Sequence, residues 1–212
     1  MLLYTDRMAI DYRFQPKGLK SNLGWYDRGY IPHFEGGEIV QFLTFRLADS
    51  MPQSVLKRWR AELDLTSKID QTTFRKRIEK YLDQGYGGCY LQDPRISELL
   101  EETLLKFDGE KYSLISWVIM PNHVHLLLKP IGEEELGKIT HSIKSFTAHT
   151  ANQILGRKGK FWQAETFDRY IRDRDHYVNV IRYIENNPVK ARLCATPEEW
   201  RFSSAYWRSL AV

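Results

Sequence analysis

The chain has 212 residues, 42% hydrophobic and 27% charged, which suits one substantial soluble domain and excludes a low-complexity chain. Its net charge of +4 permits an anionic partner such as nucleic acid without requiring one. Cys89 and Cys194 stand far apart with no CxxC neighbour, which argues against a disulfide framework or a structural zinc site. With no run of roughly 18 apolar residues, no membrane span is expected. Charges within the first seven residues argue against a signal peptide, so the expected location is the cytoplasm.

Residues 1–23 lack a clear period and read as an N-terminal arm; 24–212 read as one domain. "EIVQFLTFRL" reads as a strand, with Leu43, Phe45 and Leu47 alternating with Thr44 and Arg46. From Pro52 the pattern turns helical and charged, first through Val55, Leu56 and Trp59, then through Phe74, Ile78 and Tyr81. The glycine-rich loop "DQGYGGCYLQDP" follows, and 52–92 reads as a helical insertion. "PRISELLEETLLKFDGEKY" is an amphipathic helix with Ile96, Leu99, Leu100 and Leu104 on one stripe. "YSLISWVIM" and "HVHLLLKP" are two strands joined at Pro121-Asn122, which is turn chemistry but not a preferred primed hairpin pair. A helix over "GEEELGKITHSIKSFTAHTANQIL", the basic loop "GRKGK" and a short strand or loop in "FWQAETFDRYI" come next. The last strong element is the helix "DRDHYVNVIRYIENNP", expected to stop at Pro188. This order predicts an α+β domain whose antiparallel sheet is covered by helices.

Side chains two apart on a strand share a face, so His123 and His125 lie together while Val124, Leu126 and Leu128 point into the apolar layer. Two readings fit such a pair: a polar strand face, or two imidazole ligands to one divalent cation. On the final helix, Tyr183 and Asn187 are four residues apart and flank the core stripe Tyr177, Val180, Ile181 and Ile184. Tyr183 is then either a rim residue of the core or a nucleophile; Asn187 is either part of a helix-ending "NNP" or a ligand. The combination has a chemical sense. A tyrosine hydroxyl can attack a phosphodiester and retain the fragment as a phosphotyrosine, and a metal held by two histidines and an amide oxygen could polarise the phosphate. Mg²⁺ or Mn²⁺ suits phosphate work, although two imidazoles bind zinc or nickel more tightly. Tyr170 and Tyr177 lack a carboxamide four residues on, being followed there by Arg174 and Ile181.

"WVIMPNHVHLLLKP" followed by "FWQAETFDRYIRDRDHYVNVIRYIENNPVKARL" resembles the single-tyrosine transposases of the HUH nuclease superfamily. The similarity is nearest to the REP-associated, IS200-like branch, and runs from about Gly24 to Trp207. The resemblance implies a ferredoxin-like HUH domain with His123 and His125 as the metal pair and Tyr183 as the nucleophile. The third ligand falls on Asn187, where insertion-sequence relatives usually carry the longer glutamine. It further implies metal-dependent cleavage and rejoining of single-stranded, hairpin-forming DNA, with REP-like palindromes as candidate targets. Monomeric and homodimeric relatives both exist. The alternative is a domesticated, catalytically silent DNA-binding relative; a barrel amidohydrolase is excluded by length.

Candidate DNA contacts are Lys144, Arg157, Lys158, Lys160, Arg169 and Arg172, with Trp162 as a stacking platform. The loop "GRKGK" is the expected phosphate-contact segment, and Tyr26 and Arg28 are expected to read a flanking sequence.

Overall fold

The computed structural model describes residues 24–27, 32–35, 37–64 and 67–211. A hairpin of β1 (Gly24–Asp27) and β2 (Pro32–Glu35) precedes β3 (Gln41–Arg46), α1 (Gln53–Glu62), α2 (Lys68–Leu82) and α3 (Pro94–Lys106). Then come β4 (Tyr112–Ile119), β5 (His123–Pro130), α4 (Leu136–Ile154) and β6 (Phe167–Tyr170). The chain continues through α5 (Arg174–Glu185), α6 (Asn187–Lys190) and α7 (Ser204–Ser209). The four strands β3 to β6 form one antiparallel sheet in the order β4-β5-β3-β6. Strand, helices, two strands, helix, strand is the ferredoxin-like α+β arrangement expected from the sequence. Residues 1–23, read as an arm, lie outside the described residues.

Alternation along the strands builds two apolar layers. Leu43, Phe45, Val124, Leu126 and Leu128 face α3 and α4, where Ile96, Leu100, Leu104, Ile139 and Ile143 complete the larger core. Phe42, Val118 and Leu127 face the other way, onto Tyr177, Ile181 and Ile184 of α5. A bulge in β4 keeps the two faces sorted. Leu114 sits opposite Leu128 and Ser116 opposite Leu127, so Ile115 is the extra residue. That one-residue insertion returns Trp117 to the α3 and α4 side, where it is 1% exposed; without it every later side chain of β4 would change face.

The β4–β5 turn is tight, closed by the Met120 N–H donating to the His123 carbonyl at 2.8 Å. Asn122 does not take a left-handed conformation there, because Cys89 and Arg192 are the non-glycine residues with positive φ among those described. The turn is instead held from outside. Asn122 Nδ2 donates to the carbonyls of Leu82 at 3.2 Å and Tyr86 at 3.0 Å, at the end of α2 and the start of the glycine-rich loop. Gly87 makes the loop's close approach possible: at φ +94 its backbone lies so near Asp49 that an added Cβ would meet the Asp49 carbonyl oxygen at 2.8 Å.

α5 is started by Asp173, whose carboxylate accepts the His176 N–H at 2.7 Å. The helix ends at Glu185, not at Pro188 as the sequence suggests. Proline lacks only an N–H that a first helical turn leaves unpaired, so Pro188 is accommodated in the first turn of α6. Among the described residues, no helix is long and apolar enough to cross a membrane.

Candidate active site

The register of β3 against β5 places Thr44 opposite His125 and Arg46 opposite His123, all on the face covered by α5. The histidines do not line a solvent-facing strand edge. They are 1% and 2% exposed, with ring centroids 4.7 Å apart. Each is held through Nδ1. Asn122 Oδ1 lies 2.7 Å from Nδ1 of His123, and Thr44 Oγ1 lies 2.8 Å from Nδ1 of His125. Because the Asn122 amide nitrogen is committed to two carbonyls, its oxygen must face the imidazole, and Nδ1 of His123 carries the proton. The Nε2 lone pair of His123 is therefore free to ligate.

Burial pushes the His123 pKa down to about 3, and the nearby Lys190 charge adds to the effect. His125 is held well below the usual histidine range by burial, then by His123 and Lys190. Both rings are neutral at pH 7, the form that ligates metals.

α5 brings Tyr183 onto this pair. Its hydroxyl lies 3.4 Å from His125 Nε2, at the outer limit of a hydrogen bond, and the two ring centroids are 5.2 Å apart. Phe42 braces both, at 5.3 Å from His125 and 5.9 Å from Tyr183. The phenol's pKa is pushed well above its ordinary value, chiefly by burial and then by the charges of Glu79 and Asp83; the Asn187 amide pulls the other way. Lys190 sits 5.7 Å over the Tyr183 ring and pairs with Asp83 at 2.7 Å.

The two asparagines of "NNP" divide the readings left open by the sequence. Asn186 is exposed and returns its amide to the Arg182 carbonyl at 2.9 Å, an ordinary helix-end role. Asn187 is fully buried, which corrects its expected place on the rim; it opens α6 instead of lying on α5. Both its Oδ1 and its Nδ2 are buried without a hydrogen-bond partner of good geometry among the described residues. Leaving a buried amide so unsatisfied costs about 1–3 kcal/mol, which is retained when the group has another use. Among the described residues, no group of three or more His, Cys, Asp or Glu is gathered to hold a metal. The donors that contacts bring together are thus two imidazole nitrogens, with the Asn187 amide acting on the neighbouring Tyr183 phenol.

Several expected DNA contacts are otherwise engaged. The Lys144 amine donates to the carbonyls of Gln163 at 2.6 Å and Ala164 at 2.9 Å and to Thr166 Oγ1 at 3.2 Å. Burial lowers its pKa to about 8, so it acts as a clamp on the loop before β6, not as a presented charge. Trp162 is 6% exposed, with its indole N–H on Thr147 Oγ1 at 2.9 Å, and offers no open stacking face. Arg157 folds back over the Tyr90 ring at 4.3 Å. Lys158, Lys160 and Arg172 are exposed, and Arg169 is half-buried on β6. Tyr26 lies on β1, but its side chain and all of Arg28 fall outside the described residues. Of the other tyrosines considered, Tyr177 is 4% exposed in the core, as its stripe position requires.

Sequence reasoning missed Asn122 as a positioning residue, Thr44, Lys190, and the carboxylates Glu79 and Asp83. Alternation had already placed Thr44 on the correct face of its strand, and Lys190 stands seven residues after Tyr183, two turns along the same face. No local pattern links α2 to the tyrosine.

Residues 90–187 match the family model described as Transposase IS200 like, just under half of the chain. The fold is similar to that of the REP-associated tyrosine transposase bound to a REP hairpin: TM-score 0.52, 20% identity, covering 88% of this chain and 84% of that one. A second solved chain, from Deinococcus radiodurans R1, aligns over 76% of this chain and 96% of its own, at 14% identity and TM-score 0.36. A comparison with curated proteins returns no match. The matched segment of the IS200-like transposase model carries both histidines, the tyrosine and the buried asparagine.

Proposed function

We propose that this chain is a transposase-type nuclease that cleaves and rejoins single-stranded, hairpin-forming DNA through a 5′-phosphotyrosine on Tyr183. The observation that carries the reading is the Tyr183 hydroxyl 3.4 Å from His125 Nε2, with an unsatisfied, fully buried Asn187 amide one turn further on.

In the cleavage step the Tyr183 oxygen forms a bond to the scissile phosphorus, and the bond from phosphorus to the 3′ oxygen breaks. The phenol loses its proton and the departing 3′ oxygen gains one. The new phosphotyrosine conserves one phosphodiester for another, so a 3′ hydroxyl can attack it, restore the phenol and seal the strand without a nucleotide cofactor. His123 and His125, through Nε2, and Asn187, through Oδ1, would hold a divalent cation, Mg²⁺ or Mn²⁺. When bound, that ion supplies positive charge to polarise the phosphate and offset charge developing at the phosphoryl oxygens. Phe42 fixes the planes of the His125 and Tyr183 rings, and the Asn122 and Thr44 contacts fix both imidazoles. Hairpin DNA is the proposed partner, since the similar REP-associated enzyme is bound to a REP hairpin. The exposed Lys158, Lys160 and Arg172 are its proposed phosphate contacts, spending counterion release on affinity.

The test is incubation of the purified chain with end-labelled hairpin DNA, with and without Mg²⁺ or Mn²⁺, followed by denaturing electrophoresis. A metal-dependent, denaturant-resistant protein–DNA species is the expected result. Hairpin binding without any such species would support the silent DNA-binding relative instead. A second prediction follows from the held imidazole: Asn122→Ala weakens Mn²⁺ binding by about 10–100-fold, as loss of a ligand-orienting hydrogen bond does. Calorimetric titration reads this directly, and an unchanged affinity would remove Asn122 from the site.

A further inference from the structure

Two carboxylates end α2 where helix physics does not favour them. Glu79 and Asp83 are like charges four residues apart, and both lie at the helix's negative end, where the macrodipole opposes a carboxylate. Lys190 offsets Asp83, its amine 2.7 Å from Oδ2. The Glu79 carboxylate has a different neighbour: it accepts a hydrogen bond from the Tyr183 hydroxyl.

α2 is held in this position by the site itself. Asn122 Nδ2 donates to the Leu82 carbonyl at 3.2 Å, one turn on from Glu79, while Asn122 Oδ1 holds His123 at 2.7 Å. Lys190, whose amine lies 5.7 Å over the Tyr183 ring, ties Asp83 to α6. Two separate contacts therefore fix the turn that carries Glu79 against the tyrosine and the histidines.

The groups around the phenol differ in whether they can take its proton. His125 Nε2, 3.4 Å away, is the nitrogen assigned to the cation, and ligation occupies its lone pair. The Asn187 amide is not a base, the Lys190 amine is a donor, and Asp83 is committed to Lys190. Among the described residues around the phenol, that leaves Glu79.

We propose that Glu79 is the general base of strand cleavage, taking the Tyr183 proton as the tyrosine oxygen bonds to phosphorus. A carboxylate is too weak a base to ionise a phenol beforehand, so the transfer accompanies the attack. As the bond from the Tyr183 oxygen to phosphorus forms, its proton passes to Glu79. The bond from phosphorus to the 3′ oxygen breaks, and that oxygen takes a proton from water. In rejoining, a 3′ hydroxyl gives its proton to water and its oxygen bonds to phosphorus. The released tyrosine oxygen then recovers its proton from Glu79. This gives α2, which lies outside the matched family segment, a part in the chemistry. The inference rests on the nuclease reading, and its test tells the two failures apart.

Single-turnover adduct formation would be measured with hairpin DNA and Mn²⁺ on the full chain, Glu79→Gln and Glu79→Ala. Glu79→Gln keeps the shape, the helix propensity and an accepting oxygen, but cannot take a proton. Its rate is expected to fall by about 10²-fold or more, the usual share of a general base, with hairpin and Mn²⁺ affinities unchanged. Glu79→Ala falls as far, and added formate at constant ionic strength restores part of its rate in a saturable way. Formate leaves the unmodified chain and Glu79→Gln as they were. A merely structural Glu79 gives no such rescue. An undiminished rate in Glu79→Gln, weakened Mn²⁺ binding in that variant, or a loss in Glu79→Ala that formate does not relieve would each overturn the proposal and leave the nuclease reading in place. No adduct from the unmodified chain would remove the reaction itself, and this role with it.

Discussion

Tyr183→Phe is expected to abolish the covalent protein–DNA species while leaving hairpin affinity within about fivefold, the scale of one lost hydrogen bond of ~1 kcal/mol. The substitution removes one oxygen and nothing else. Phe keeps the ring that packs edge-on to Phe42 and under Lys190. The lost contact to His125 Nε2 is already long at 3.4 Å, so the fold should be as stable or more so, because a buried hydroxyl is removed. Chemistry and stability are thereby separated. Denaturing electrophoresis reads the adduct, anisotropy reads binding and a thermal melt reads the fold. An adduct of undiminished yield from this variant would exclude Tyr183 as the nucleophile.

The second large effect is expected from the histidines. His123→Gln and His125→Gln retain a polar side chain that can still meet Asn122 or Thr44, which limits the damage of changing residues only 1% and 2% exposed. Neither amide reproduces an imidazole Nε2 lone pair, which on His125 lies 3.4 Å from the tyrosine hydroxyl. Metal-dependent adduct formation should fall by about 10²-fold or more in each, the loss typical of removing charge stabilisation from a transition state. Combining them should lose little beyond the worse single variant, because the pair acts as one unit. Single-turnover rates across a Mn²⁺ titration measure this. Rates that stay metal-dependent, with unchanged Mn²⁺ affinity, would show that the cation binds elsewhere.

Much of this site is legible in the sequence because its parts obey short-range periods. HxH on an apolar strand must place both rings on one face, and the four-residue interval from Tyr183 to Asn187 must place them about one turn apart. The same alternation separates Leu43 and Phe45 from Thr44 and Arg46, so the strand faces are correctly assigned. What period two cannot supply is the neighbour across the sheet. That Arg46 opposes His123 and Thr44 opposes His125 depends on register between strands about eighty residues apart in the chain. The burial of the histidines is hidden in the sequence for a related reason. The histidine face looks half-polar along β5 alone, and it is closed only when α5 and the end of α2 come over it. Charge lists fail differently. Lys144 and Arg157 read as free cations, yet one clamps three acceptors and the other lies on an aromatic ring, both uses that composition does not reveal. Trp162 reads as a base-stacking surface, but its indole N–H has a buried partner and its ring lies against Phe45 and Phe161.

The closed arrangement also accounts for the protonation state of Tyr183. With burial and the α2 carboxylates both opposing ionisation, the tyrosine rests as a neutral phenol. Lys190 is held by Asp83 instead of facing the hydroxyl alone. A neutral phenol beside two neutral imidazoles is the resting arrangement that the proposed reaction would need, to be activated only when a phosphate and a cation arrive together.

The most direct measurement is peptide mapping of the trapped species. After reaction with hairpin DNA and Mn²⁺, nuclease trimming and tryptic digestion, mass spectrometry locates the attached nucleotide. Trypsin cuts after Arg182 and Lys190, and the peptide between them, YIENNPVK, contains one tyrosine. The account predicts a 5′-phosphate nucleotide on that peptide, at Tyr183. A nucleotide on the peptide bearing Tyr170 or Tyr177, or attached through a 3′ phosphate, would contradict it.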